Sequence, residues 1–279
     1  MKAKWLLQTK VFDENLDGFC TELTKQGFEW KTIEHSLSHD TELDQFEDED
    51  CVVFYGALSL ASKIRRTKRW TPGAYYDSKN FRCSTYYTYF GKHLFSETYA
   101  MMPFAEIKRL KDDSFFRHWI GTVFFIRPDS GFKEFTGQTV ILDKPLFGIM
   151  TLDELQNTYR VEDDLLCVIA SAKHIEREWR VVIGDKKVIT GCQYKHRYEL
   201  CESEDFPEKI KKYAEKIAQC DWEPARVYVM DIAEHLNGSQ GLLEINSFST
   251  SGLYKCDLSK IVTEVSKIAE DEWKEYQEV

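Results

Sequence analysis

Apolar runs of strand length alternate with helically spaced positions along the first quarter of the chain, and this alternation predicts a small layered unit. Residues 4–11 (KWLLQTKV) form an expected strand, and 16–26 follow with Leu16, Phe19 and Leu23 at helical spacing before a glycine stop at Gly27. A second strand is expected over 28–33, and an acidic, polar connection over 39–50 leads into a buried strand, CVVFYG, at 51–56. The order β-α-β-turn-α implies an α/β unit with a partly parallel sheet. Gly56, at the end of that strand, suits either the close approach of a ligand or a plain turn.

The pattern further on predicts mixed α+β structure. Short helices are expected over 104–112 and 114–119, a strand over 123–126, a loop RPDSGFK from 127 to 133 that closes at Gly137, and a strand over 139–142. A polar helix over 152–160 precedes a buried strand at 165–172 (LLCVIASA). Strands over 178–183 and 188–194 flank Gly184-Asp185 and predict a hairpin. Residues 207–219 (PEKIKKYAEKIAQ) form an amphipathic helix with proline in its first turn, burying Ile210, Tyr213, Ala214 and Ile217. The chain closes on a helix over 258–278, with Ile261, Val265, Ile268 and Trp273 on or near one face.

The chemistry concentrates between Arg226 and Tyr254, RVYVMDIAEHLNGSQGLLEINSFSTSGLY. Two β-rich runs flank Asn237-Gly238, a preferred hairpin dipeptide, and counting outward from it sets Asp231 directly across from Glu244. Asn246 shares the face of Glu244, because side chains two apart on a strand point the same way. Facing carboxylates repel unless something positive lies between them. Carboxylate and amide oxygens without sulfur or imidazole suit Mg2+ or Mn2+. The plain alternative is a solvated hairpin whose acids face water.

Other positions offer weaker signals. A strand that enters a loop carrying Arg127, Ser130, Gly131 and Lys133 can present cations and backbone N–H groups to a polyphosphate, although G-x-x-x-x-G-K-[ST] is absent. Arg180 shares a strand face with Glu178; it could meet a terminal phosphate or pair with Glu178 or another neighbour. The aromatic run over 70–95 could stack a base or a peptide, or pack internally. Lys195, His196 and Arg197 could bind an anionic substrate or lie in a solvated loop, and Ser249 to Gly252 could line an acceptor pocket or be a turn.

Composition narrows the class. With 279 residues, 43% hydrophobic and 14% aromatic, the chain can bury a sizeable core and divide into lobes. A net charge of −10 argues against general affinity for nucleic acid or anionic membranes. No run resembles a signal peptide or a membrane span, so a cytoplasmic protein is expected. Eight cysteines without a C-x-x-C pair argue for reduced thiols and against a zinc ribbon.

Taken in order, strand-R-P-x-S-G-x-K, apolar strand-x-x-E-x-R, helix, a strand ending in Asp231, and E-I-N-S-F-S-T-S-G-L-Y resemble the ATP-grasp superfamily, most closely a small clade met in bacteriophage and bacterial genomes. The resemblance implies an ATP-grasp fold, two α+β lobes sandwiching ATP, preceded by a small α/β domain. Its boundaries would be 1–89 for the preceding domain and 90–279 for the grasp, with a lid-like lobe at about 120–195 and a metal-binding lobe at about 196–279. It further implies Arg127 and Lys133 at the phosphates, a linker over 170–175 with Lys173 near the adenine, Arg180 at the γ-phosphate, and Asp231, Glu244 and Asn246 on one or two Mg2+. The chain departs from the usual pattern in a glycine-poor loop, in the lack of a clear acidic linker residue, and in arginine at 127 where most members have lysine. That arginine offers a planar donor fork instead of a point charge.

The implied activity is an ATP- and Mg2+-dependent ligase. It would activate a small-molecule, peptide or protein carboxylate as an acylphosphate and join it to an amine or other nucleophile. A phosphotransferase using the same site, and a nucleotide-binding module without catalysis, are the other readings of the same residues.

Overall fold

The N-terminal alternation folds into a four-stranded parallel layer. In the computed structural model, which describes residues 1–34, 43–145, 148–197 and 199–278, the chain runs β1 (Lys4–Gln8), α1 (Asp13–Lys25), β2 (Glu29–Ile33), β3 (Cys51–Tyr55), α2 (Leu58–Thr67) and β4 (Thr71–Gly73). The sheet order is β2-β1-β3-β4, and every pairing is parallel, so the expected partly parallel sheet is wholly parallel. Strand β1 ends before the expected residue 11 because Lys10 turns to φ 63° and its N–H caps onto Asp13, where α1 begins. The polar connection expected over 39–50 starts outside the described residues; in its described part Leu43 and Phe46 are buried, and Asp50 accepts from Lys4 Nζ at 2.7 Å.

Next come α3 (Cys83–Phe90), β5 (Tyr99–Pro103), α4 (Phe104–Leu110), α5 (Ser114–Ile120), β6 (Val123–Pro128), β7 (Gln138–Ile141), β8 (Met150–Thr151), α6 (Leu152–Tyr159) and β9 (Leu166–Ser171). Helices α5 and α6 start where short polar side chains catch free N–H groups: Asp113 accepts from Phe116, and Thr151 and Glu154 form a reciprocal capping box. These strands form a five-stranded sheet, β5-β9-β6-β7-β8, over a core that includes Phe104, Ile107, Phe124, Ile126, Leu155 and Ile169.

The last stretch comprises β10 (Ile175–Gly184), β11 (Lys187–His196), β12 (Glu199–Ser203), α7 (Glu208–Ala218), β13 (Val227–His235), β14 (Gln240–Ser247) and α8 (Leu258–Gln277). Its strands form an antiparallel sheet, β12-β11-β10-β13-β14. Helix α8 is capped by Asp257, which accepts from Lys260 N–H, and its apolar face packs into a core shared with the parallel sheet, including Trp5, Leu7, Phe19, Val53, Phe248, Val262 and Val265. The indole of Trp5 donates to Ser266 on α8 at 2.9 Å.

The chain thus divides into two compact units, Met1–Asp77 with Ile175–Val279, and Ser78–His174. An 89/90 boundary would cut α3, and a lobe boundary near 195 would fall inside β11. The ladder between β10 and β13 instead holds the 175–196 hairpin with the strands of the expected metal ligands. No helix among the described residues is long and apolar enough to cross a membrane.

Candidate functional site

Asp231, Glu244 and Asn246 come together, by a route that differs from the simple count. The turn is longer than two residues: His235 N–H donates to Ser239 O at 2.9 Å and Gly238 N–H to His235 O at 2.8 Å, with Gly238 at φ 82°. Next to it Ile232 faces Leu242 and Ala233 faces Gly241, one residue out of the expected register. A bulge between Asp231 and Ile232 takes up Leu243, and beyond it Asp231 faces Glu244 and Val229 faces Asn246, as counted.

Asn246 ties the two acids together. Its Nδ2 donates to Glu244 Oε1 at 2.9 Å and to Asp231 Oδ2 at 3.3 Å, while its Oδ1 is buried and has no donor. Buried polar atoms are nearly always paired, so an unmatched amide oxygen on the residue that bridges two carboxylates fits the donor set of a cation. The donor set of three oxygens suits Mg2+ or Mn2+. Among the described residues no group of three or more His, Cys, Asp or Glu side chains is placed to hold a metal, so the set rests on two carboxylates and an amide.

Arg180 is the fourth member of this cluster. It lies opposite Asp231 in the β10–β13 ladder and pairs with it in a fork, Nε to Oδ1 at 3.0 Å and Nη2 to Oδ2 at 2.8 Å. Burial pushes the Asp231 carboxyl up, Arg180 pulls it down and the facing Glu244 raises it again, leaving it at about 6. Burial works against the Arg180 charge, but Asp231 outweighs it and holds the guanidinium well above its usual range. Glu178, the partner suggested by a shared strand face, instead accepts from the Tyr194 hydroxyl and lies 3.4 Å from Lys195 Nζ.

Arg127, Lys133 and Lys173 belong to the unit 78–174. Arg127 is buried on β6 opposite Val168 of β9. The loop after it is anchored: Asp129 accepts from Ser84 N–H at 2.7 Å near the start of α3, Ser130 Oγ accepts from Phe132 N–H at 3.0 Å, and Phe135 is buried. A Cβ on Gly131 would come within 2.7 Å of the Ser78 carbonyl oxygen, so this glycine serves a close backbone approach. Lys133 is exposed at φ 53°, and exposed Lys173 donates to Phe95 O at 2.7 Å.

Several looser expectations resolve into structure. Tyr75, Tyr76, Phe81, Tyr86, Tyr87 and Phe90 are buried, so these rings of the 70–95 run pack internally and present no stacking surface. Arg197 and His196 pair with Glu176 at 3.3 and 3.1 Å, and these partners, His196 foremost, pull the Glu176 carboxyl down. Ser249 and Ser251 are buried; Ser249 Oγ accepts from Tyr75 N–H and Ser251 Oγ donates to Ser247 O, which makes the turn a brace between the two sheets of its unit. A Cβ on Gly56 would clash with the Gln8 side chain, so this glycine serves a close internal approach.

Sequence reasoning did not find Tyr194, Tyr254 and the Gly252 carbonyl around Arg180. The two rings stack with centroids 4.9 Å apart and 5° between planes, and Arg180 Nη1 donates to Gly252 O at 2.5 Å. Tyr254 closes the E-I-N-S-F-S-T-S-G-L-Y motif, which was a usable signal; nothing marked Tyr194.

The folds of known structures agree with this layout. D-cycloserine synthetase DcsG aligns with a TM-score of 0.62 and 11% identity, over 96% of this chain and 99% of that one. D-alanine–D-alanine ligase from Bacillus anthracis, complexed with ATP, gives a TM-score of 0.61 at 15% identity, over 99% and 100%. The ATP-grasp ligase PsnB, complexed with minimal precursor, Mg and ADP, gives 0.54 at 11% identity, over 97% of each chain. No curated protein sequence matches the chain. The architecture is therefore that of an ATP-grasp fold. The model for the "ATP-grasp domain, R2K clade family 2" matches residues 107–263, and the chain belongs to that family.

Proposed function

We propose that the protein is an ATP- and Mg2+-dependent ligase that activates a carboxylate as an acylphosphate and joins it to an amine or another nucleophile. The observation that carries this reading is the buried Oδ1 of Asn246, without a donor, beside the converging carboxylates of Asp231 and Glu244. Those three side chains would hold Mg2+ or Mn2+, which when bound neutralises charge on phosphate oxygens. Arg127, Lys133 and Lys173 would serve the nucleotide and Arg180 the terminal phosphate, since cations of this kind offset charge that develops during transfer. Neighbours of the same fold that are ligases by name, DcsG, D-alanine–D-alanine ligase and PsnB, support this class. The substrates would be small-molecule, peptide or protein carboxylates and amines, and eight free thiols suit a cytoplasmic setting.

The test is ADP release across pooled carboxylates and amines with Mg2+, with products read by mass spectrometry. An amide or ester product that disappears in Asp231→Ala and Glu244→Ala supports the ligase; a phosphorylated acceptor without condensation makes it a phosphotransferase. No ADP release with any pool counts against both.

A further inference from the structure

If Asp231 binds a cation, as the proposed function requires, its carboxylate cannot stay as it stands. Both of its oxygens are engaged by Arg180, and Oδ2 is also the oxygen that Asn246 touches at 3.3 Å, the same amide that holds Glu244 Oε1 at 2.9 Å. The atoms that converge are therefore Asp231 Oδ2, Glu244 Oε1 and Asn246. Two donors stand on these oxygens: Asn246 Nδ2, which a half-turn of its amide would replace by Oδ1, and Nη2 of Arg180, 2.8 Å from Oδ2, whereas Nε holds the other oxygen.

The guanidinium is also held from behind. Nη1 donates to Gly252 O at 2.5 Å, and the guanidinium carbon lies 4.8 Å from the centroid of the Tyr254 ring and 5.2 Å from that of Tyr194. Tyr194 is in turn fixed through its hydroxyl to the buried Glu178. Loss of one bond to Asp231 would leave this arginine supported on its carbonyl, its rings and its remaining carboxylate contact.

We propose that Arg180 is an internal counter-ion of the cation site: it neutralises Asp231 while the site is empty, and it yields Oδ2 when a divalent cation binds, which frees Nη2 while Nε keeps Oδ1. Tyr194, Tyr254 and the Gly252 carbonyl are then positioning groups that hold the guanidinium in its fork with Asp231. Occupation of the cation site and the freeing of an arginine N–H edge become one exchange, so an empty site does not offer Arg180 to phosphate. The donorless Asn246 Oδ1 is consistent with this, since arginine can cover the carboxylate but leaves the amide oxygen unmatched.

The exchange is tested with Mn2+ alone, titrated into the nucleotide-free full chain and followed by the electron paramagnetic resonance of free Mn2+. Arg180→Met removes the competitor and should bind Mn2+ about tenfold more tightly than the unaltered protein, equivalent to about 1.4 kcal/mol. Tyr254→Leu, which loosens the guanidinium but leaves Asp231 intact, should tighten binding about threefold. Unchanged or weaker Mn2+ binding in Arg180→Met overturns the proposal, because an arginine that merely supports the fold would loosen the site when removed. Should Arg180→Met not fold, Tyr254→Leu decides alone, and an unchanged affinity there overturns it. Asp231→Asn and Glu244→Gln separate the two levels: if neither alters Mn2+ binding, the cation site itself is refuted and the exchange with it. If both abolish binding while Arg180→Met matches the unaltered protein, only the exchange falls.

Discussion

The β13–β14 hairpin and the loop between β6 and β7 both carry residues assigned to the nucleotide's charge, yet they are built in opposite ways. Asp231 and Glu244 of the hairpin and Arg180 of the adjoining β10 stand directly across from one another on three hydrogen-bonded strands, so the ladder fixes their spacing. In the loop, Arg127 is set by its strand, but Lys133 depends on a left-handed turn whose course is held by Asp129 on α3, by Gly131 against Ser78 and by buried Phe135. Cation ligands gain from a rigid ladder because hard cations demand defined geometry. A side chain that reaches a phosphate as a point charge tolerates a looser support.

Substitutions at the two places should therefore fail differently. The largest effect is expected from Asp231→Ala, which leaves the Arg180 charge buried and unpaired and should cost about 3–5 kcal/mol in denaturant unfolding. The same change should lower Mg2+-dependent ADP release by a factor of about 100 or more. Stability close to the unaltered protein would show that the Arg180–Asp231 fork is not structural.

Acid should probe the ladder next. The Asp231 carboxyl is raised to about 6 from its usual 3.8, so its contribution to stability is full below about 3.8 and is lost as pH rises through about 6. A cation selects the ionised form, so the Tm increment from Mg2+ should grow across that window; an increment that is flat with pH removes Asp231 from the ligand set.

Gly131 and Gly238 contrast the two turns directly. Gly131→Ala presses on the Ser78 backbone and should cost about 1–3 kcal/mol. Gly238→Ala meets open space and should cost only the left-handed strain of about 1 kcal/mol. Equal costs would mean that the β6–β7 loop is no better anchored than the hairpin tip. The smallest change in stability, within about 0.5 kcal/mol, is expected for exposed Lys133→Ala, together with a KM for ATP raised about tenfold. A Tm shift without a KM shift would return Lys133 to an ordinary surface role.

Much of this molecule was already legible along the chain. Alternation and turn residues determined the β-α-β start, the two hairpins of the antiparallel sheet and the amphipathic helices, because strand and helix periods are local properties. The facing of Asp231 and Glu244 was determined in the same way, although it holds only because a bulge at Leu243 offsets a longer turn, and no spacing rule foretold that the two would cancel. Tertiary structure alone decided that the 70–95 aromatics other than exposed Tyr89 are core, that the serines after Asn246 brace two sheets, and that Arg180 sits between a carboxylate, a carbonyl and two stacked tyrosines. Those outcomes join residues up to 174 positions apart, where what matters is which surfaces meet on folding, and periodicity carries no record of that.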